Sequence, residues 1–229
     1  MEGYASAVSA FQSDGVAIFC RVATLETVHS VADAFSSVSG EPGRRSFALV
    51  PTVRSLIAVD GALGQLAGFL GRGEMKPVRV LFFDKTPKVN WSAPWHQDRT
   101  IALKERVDAP GFGPWSVKDE IVHVEPPTAL LENMLTLRLF LDDCGADNGP
   151  LEVACNTHTL GRVPSQDAAV LARQSRRFVA VGEAGDVLAM RLLALHKSDR
   201  ATNPSRRRVL HVDYCGESLP APLHWAGED

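Results

Sequence analysis

Thr136-Leu137-Arg138-Leu139-Phe140-Leu141-Asp142-Asp143-Cys144-Gly145-Ala146-Asp147-Asn148-Gly149-Pro150-Leu151-Glu152-Val153-Ala154 reads as an apolar run, a turn and a second apolar run. Asn, Asp and Gly tolerate the backbone angles of a tight turn, and Pro cannot continue a central strand, so Asp147–Pro150 separates two strands. Similar short β-rich runs occupy Val78–Phe83, Arg177–Val181, Val187–Leu193 and Arg208–Tyr214, with another turn at Glu183-Ala184-Gly185-Asp186. Many short strands punctuated by turns predict a closed or two-sheet antiparallel architecture rather than alternating βα units. Upstream, Ala5–Gln12 and Leu25–Phe35 carry apolar residues at helical spacing, and Asp14-Gly15 turns the chain into a β-like run, Val16–Cys20. A further helix is expected over Val53–Leu70, with Leu56, Ile57, Leu63, Leu66, Phe69 and Leu70 forming a stripe and its glycines weakening it. The expectation is one α+β domain over residues 1–229, with a helical layer at about 1–75 covering a jelly roll at about 76–215. Arg99–Pro127 shows no clear periodicity and reads as an irregular, functional or mobile insertion.

Composition narrows the function. The 229 residues include 24 Lys+Arg and 27 Asp+Glu, a net charge of −3, which offers no general basic footprint for nucleic acid. A chain this long buries about 70% of its unfolded surface, so a metal would serve chemistry rather than folding. Cys20, Cys144, Cys155 and Cys215 form no CxxC pair, which argues against structural zinc or a disulfide framework and for reduced, buried thiols in a cytoplasmic protein. Glu2 and Asp14 interrupt any export signal, and the weakly polar stretch Gly61–Gly71 contains Gln65 and falls short of the roughly 20 residues that span a bilayer. The dinucleotide, P-loop, nucleophile-elbow and zincin motifs are missing.

What remains is histidine and carboxylate spacing. His96-Gln97-Asp98, His123-Val124-Glu125 and His211-Val212-Asp213 each place a His two residues before a carboxylate, and on a strand such residues face the same way. Each pair alone is as readily a strand-surface pair. Two histidines and one carboxylate on one face bind Fe(II) and leave the opposite positions open for a co-substrate and O₂. His211-Val212-Asp213 is followed only by His224, and His123-Val124-Glu125, taken with His158, meets Ala168 and Ala169 where a basic residue is wanted. His96-Gln97-Asp98 is followed by His196 and then by Arg206, Arg207 and Arg208, whose guanidinium geometry suits a carboxylate. Trp91, Trp95 and Trp115 would line a substrate mouth or simply pack.

Trp95-His96-Gln97-Asp98, the run Leu137–Asp143, Asn148-Gly149-Pro150-Leu151, Thr157-His158, Gly185-Asp186-Val187, and His196 followed by Arg207 together resemble the phytanoyl-CoA dioxygenase family of Fe(II)- and 2-oxoglutarate-dependent oxygenases. The resemblance runs from about Val78 to Tyr214 and implies a double-stranded β-helix of the cupin-like, jelly-roll kind. It implies that His96, Asp98 and His196 hold iron, that Arg207 clamps the far carboxylate of 2-oxoglutarate, and that Ser198 donates a hydroxyl to the same molecule. Alternation along the strand turns Arg206 and Arg208 away, as solvated charge. Thr136 is a candidate for touching 2-oxoglutarate, while Arg138, Trp95 and Trp115 are candidates for touching substrate. Asp98 stands where halogenating relatives carry a small residue, which favours oxygen insertion. Ala154-Cys155-Asn156-Thr157-His158 departs from the family's Pro-Gly-Ser-His turn, so His158 reads as a turn residue. The implied activity hydroxylates a C–H bond of a small molecule with release of succinate and CO₂, under a lid drawn from Arg99–Pro127. The alternatives are a metal-dependent cupin-like enzyme that does not use 2-oxoglutarate, and a non-catalytic jelly-roll binding protein.

Overall fold

Apolar runs become antiparallel strands in the computed structural model, which describes residues 2–35, 44–45 and 50–227. The strands are β1 (Val16–Phe19), β2 (Arg44–Arg45), β3 (Lys76–Lys85), β4 (Ala93–His96), β5 (Ile101–Leu103), β6 (Trp115–Lys118) and β7 (Ile121–Val124). They continue with β8 (Met134–Phe140), β9 (Leu151–Ala154), β10 (Arg177–Ala180), β11 (Val187–Arg191), β12 (His196–Ser198) and β13 (Arg207–Cys215). The α-helices are α1 (Ala5–Asp14), α2 (Leu25–Ala34), α3 (Pro51–Ile57), α4 (Ala62–Gly71), α5 (Thr128–Glu132) and α6 (Ala168–Gln174). A six-stranded sheet runs β1-β11-β8-β13-β3-β2 and faces a four-stranded sheet, β10-β9-β12-β4. With helices over the larger sheet, this is an α+β jelly roll.

Period-two alternation divides the larger sheet between two environments. Leu135, Leu137 and Leu139 of β8, Val187 and Ala189 of β11, and Leu210, Val212 and Tyr214 of β13 are buried in a cluster with helical residues such as Phe11, Val31, Leu56 and Leu63. The intervening Phe140, Leu188, Met190 and Val209 pack between the sheets with Leu151, Val153 and Ala180. Both faces of β8 are therefore interior. Tyr214 crosses the helical layer and donates its hydroxyl to the carbonyl of Ile57 at 2.9 Å, satisfying an acceptor at the end of α3.

The β-like run expected after α1 is β1, an edge strand of the main sheet, paired with β11. Three expectations are corrected. The helix expected over Val53–Leu70 is two helices with a corner between them, and a Cβ on Gly61 or Gly64 would lie 2.1 Å from Ser55 O or 1.9 Å from Ala58 O. Within residues 51–71 an 18-residue window reaches a mean hydropathy of 1.3, high enough by composition for a membrane span, but Val53, Leu56, Ile57, Leu63, Leu66, Ala67 and Leu70 are buried inside the protein while Phe69 faces out. The stretch expected to be irregular, Arg99–Pro127, contains the three-stranded sheet β5-β7-β6. Ile101, Leu103 and Val124 anchor it in a core with Trp225, so its regular part is packed against the barrel rather than standing off as a lid. Among the cysteines, all free, Cys20 is exposed rather than buried.

Leu137 is fully buried between sheet and helices. Leu137→Ala is expected to lower unfolding stability by about 3 kcal/mol, read as a fall in the urea midpoint with an unchanged slope.

Candidate active site

The end of the jelly roll nearest β4 and β12 collects the chemistry. These strands pair antiparallel with His96 directly opposite His196, and the register shifts between His196 and Ser198, where β4 carries one extra residue. Such bulges re-aim side chains next to active sites. The two imidazole centroids lie 4.3 Å apart, and ligand atoms of His96, Asp98 and His196 all fall within 4.8 Å of one another. His96 Nδ1–H donates to Pro94 O at 2.6 Å and His196 Nδ1–H to Ala194 O at 2.9 Å. With Nδ1 occupied, each ring presents its Nε2 lone pair to the shared space, the arrangement by which protein histidines bind metals. Gln97, between the two ligand candidates, is buried and spends its whole amide on backbone: it donates to Gly161 O at 2.9 Å and Leu193 O at 2.7 Å and accepts from Val163 N–H at 2.8 Å. It fixes the end of β4 against the opposite loop.

Behind Asp98 lies a row of buried polar residues contributed by β3, β13 and β8. Arg79 contacts Asp98 Oδ2 at 3.4 Å and forms a tight ion pair with Asp213. Asp213 Oδ1 also accepts from Thr136 Oγ1 at 2.6 Å and from His211 Nε2–H at 3.0 Å, while Arg138 Nη1 donates to His211 Nδ1 at 2.8 Å. Burial by itself would raise the Asp98 carboxyl, but Arg79 and the surrounding histidines outweigh it and hold it far below the usual carboxylate range. Burial, with His96 nearby, depresses His196 to about 4, keeping its ring neutral near pH 7.

A cavity of about 110 Å³ adjoins the three ligand candidates and is lined by Arg138, Arg207, Ser198, Leu151, Phe83 and Trp91 among others. The Arg206–Arg208 triplet divides by alternation. Arg206 makes a two-pronged pair with buried Asp84 at 3.1 and 2.9 Å, and Arg208 one with Asp142 at 2.9 and 2.7 Å, so both are ion-paired rather than simply solvated. Arg207 points the other way, into the cavity. It touches the Cys144 thiol, its Nε is buried with no hydrogen-bond partner, and no carboxylate among the described residues reaches it. Lys85 sits opposite Arg207 on β3, donates to Asp199 O at 2.8 Å, and is pulled down to about 8 by burial and by Arg207. A larger cavity of about 560 Å³ shares His96, Asp98, His211, Phe83 and Trp91 with the first and adds a polar wall including Arg79, Arg99, Thr100 and Glu125 and the apolar Leu81.

The expected site residues separate accordingly. His96, Asp98, His196, Arg207, Ser198 and Arg138 converge. Thr136 does not line the cavity; its hydroxyl is committed to Asp213. Trp95, one residue from His96, is turned by strand alternation to the outer face, where it packs with Ala168, Ala172 and Leu195 beneath the Lys197 ammonium. Trp115 packs in the β5–β7 core against Arg106. The tryptophan that lines both cavities is Trp91. His158 lies away from the cluster, over Gly15, where an added Cβ would come within 2.2 Å of its ring. The carboxylate of the His123-Val124-Glu125 motif is not among the ligand candidates; it pairs with Arg99 and Arg162 in the wall of the larger cavity. Sequence reasoning missed Arg79 and Lys85, which no motif marks. It also set aside His211 and Asp213, although they lie four and six residues beyond Arg207 on the same face of β13.

The family model described as Phytanoyl-CoA dioxygenase (PhyH) matches residues 11–209. No curated protein matches the chain in sequence. Among solved structures, AviO1 from Streptomyces viridochromogenes Tue57 superposes with a TM-score of 0.66 at 22% identity, over 95% of this chain and 97% of that one. The non-heme alpha ketoglutarate dependent carbocyclase SnoK from nogalamycin biosynthesis gives 0.70 at 19% identity, over 92% and 83%. EctD from S. alaskensis, solved with 2-oxoglutarate and 5-hydroxyectoine, gives 0.67 at 16% identity, over 92% and 75%.

Gln97→Ala removes three buried hydrogen bonds and leaves a backbone N–H and two carbonyls without their partner. The expected cost is about 3 kcal/mol in a urea titration of the metal-free protein.

Proposed function

The chain belongs to the phytanoyl-CoA dioxygenase family, and from that premise we propose that His96, Asp98 and His196 hold Fe(II) while Arg207, Ser198 and Arg138 hold 2-oxoglutarate beside it. The observation that carries the reading is the convergence of two imidazoles and one carboxylate beside a cavity whose two guanidiniums form no ion pair with a carboxylate among the described residues. The donor set is the one that suits a non-heme iron centre with open positions. The buried, unpartnered Arg207 Nε fits a carboxylate, since a buried donor without an acceptor carries a desolvation cost that an anionic ligand removes.

When bound, Fe(II) and 2-oxoglutarate supply an oxidant from O₂, with succinate and CO₂ as products. This chain's residues bind and orient. Pro94 and Ala194 carbonyls aim the histidines, Gln97 fixes the strand end, and Arg207 and Ser198 set the depth of the co-substrate. Phe83 and Trp91 give both cavities an apolar surface. We place the substrate in the larger cavity, next to His96 and Asp98, and infer hydroxylation of a C–H bond of a small molecule that presents polar groups to Arg99, Thr100 and Glu125 and an apolar face to Trp91. A metal enzyme that does not use 2-oxoglutarate would leave Arg207 and Arg138 without a purpose in the cavity.

His96→Ala and Asp98→Ala are expected to abolish substrate-dependent succinate formation while circular dichroism and melting behaviour stay close to wild type; full activity in either overturns the ligand set. Arg207→Ala is expected to raise the apparent KM for 2-oxoglutarate about 10–100-fold, the worth of one or two charge-assisted hydrogen bonds. Arg206→Ala leaves that KM unchanged. A weak visible charge-transfer band on adding 2-oxoglutarate to the anaerobic Fe(II) protein supports the reading, and its absence favours the metal-only alternative. Incubation with a panel of polar metabolites, read by mass for a gain of one oxygen, tests hydroxylation.

A further inference from the structure

Arg79, Asp213, Thr136, His211 and Arg138 form a transverse strip across three adjacent strands. In register, Asp213 of β13 faces Arg79 of β3 on one side and Thr136 of β8 on the other, and two residues back His211 faces Arg138. All five are buried: Arg79 and Arg138 are 7% exposed, Thr136 0%, His211 2% and Asp213 1%. Each link is a hydrogen bond or ion pair. Asp98 meets Arg79, Arg79 meets Asp213, Asp213 holds Thr136 and His211, and His211 accepts from Arg138. One end of the strip is a proposed metal ligand and the other is a wall of the proposed co-substrate cavity.

The bonding pattern allows little freedom. His211 Nδ1 accepts from a guanidinium, which has no lone pair to offer, so its proton sits on Nε2 and points at Asp213. Asp213 must then stay ionised to receive Thr136, His211 and Arg79. Arg79 uses Nε on Asp213, which turns Nη2 toward Asp98 Oδ2, the oxygen that also lies 3.9 Å from His196 Nε2. A lysine at position 79 would offer one point charge where two carboxylates need separate nitrogens of a fixed fork.

We propose that Arg79 is a positioning residue, held by Asp213, that fixes the Asp98 carboxylate, and that the same Asp213 locks Arg138 through His211, so that metal affinity and 2-oxoglutarate affinity are coupled through a carboxylate that lines neither cavity. The inference rests on the reading of the site as an Fe(II) and 2-oxoglutarate centre. It assigns roles to Thr136 and His211 that neither would have as a ligand: both hold Asp213.

The test compares wild type with Arg79→Lys, Asp213→Asn and Thr136→Val, with Arg206→Ala as a control that breaks an ion pair to buried Asp84 away from the strip. Mn(II) affinity is measured by calorimetry with the metal alone, and 2-oxoglutarate affinity from the charge-transfer band of the anaerobic Fe(II) protein. Arg79→Lys and Asp213→Asn are expected to weaken Mn(II) binding about 10–100-fold, the usual effect of removing a partner of a metal ligand. Asp213→Asn should also weaken 2-oxoglutarate binding severalfold and move the band. Thr136→Val, which keeps every charge and nearly the same volume, should weaken both severalfold and decides the matter together with Arg79→Lys if Asp213→Asn does not fold. Arg206→Ala should lower the melting temperature and change neither affinity. Folded Asp213→Asn or Thr136→Val protein with wild-type affinities overturns the inference, as does loss of Mn(II) binding with the band untouched, or equal losses in Arg206→Ala. Wild type that binds neither ligand defeats the underlying functional reading as well, whereas wild type that binds both beside unaffected variants defeats the coupling alone.

Discussion

Successive side chains of β13 leave opposite faces of one backbone, and both the fold and the site depend on which face each takes. Leu210, Val212 and Tyr214 go to the helical core, while Arg207, Val209, His211 and Asp213 go between the sheets. A slip of one residue would exchange the two sets, sending an arginine, a histidine and an aspartate into an apolar layer and three large apolar residues into the polar strip. Neither side tolerates that, because a buried charge without a partner costs several kcal/mol and lost core volume costs a comparable amount. The hydrophobic effect acting on one face therefore sets the geometry of the polar groups on the other.

Charge is distributed on the same principle. Arg206 and Arg208 satisfy Asp84 and Asp142 in two-pronged pairs, Arg79 satisfies Asp213 and Asp98, and Arg99 and Arg162 satisfy Glu125. Against that background Arg207 and Arg138 stand out as buried guanidiniums with no carboxylate in direct ion-pair contact among the described residues, with the Lys85 ammonium close behind. In a medium of low dielectric such a pair is complementary to a compact dianion. Burial, and next the neighbouring Arg207, pull the Arg138 guanidinium down to about 10 in spite of Asp98 and Asp213, which act the other way.

The fold itself is shared: the carbocyclase SnoK and EctD, solved with 5-hydroxyectoine, have this architecture at 16–19% identity. The polar and aromatic walls of the larger cavity come from β3, the segments before and after β4 and the small β5–β7 sheet, and a shared fold does not fix what such walls bind.

Local pattern in the sequence determined the main strands, the turn at Asp147–Pro150, the shared facing of His96 and Asp98, and the separation of Arg207 from its two neighbours, because periods of two and turn chemistry act over a few residues. Tertiary structure alone decided the rest. Strands β4, β5, β7 and β12 are three or four residues long, too short for a periodic signal, and exist because a neighbour completes their hydrogen bonds. His96-Gln97-Asp98 and His211-Val212-Asp213 obey the same spacing, yet one faces His196 across a bulge and the other lies between Arg79 and Thr136. Trp91 lines the cavities while Trp95 and Trp115 pack elsewhere. Such outcomes turn on which residues meet across intervals of about a hundred positions, and that is settled only when burial closes the barrel and sets which buried polar groups face one another.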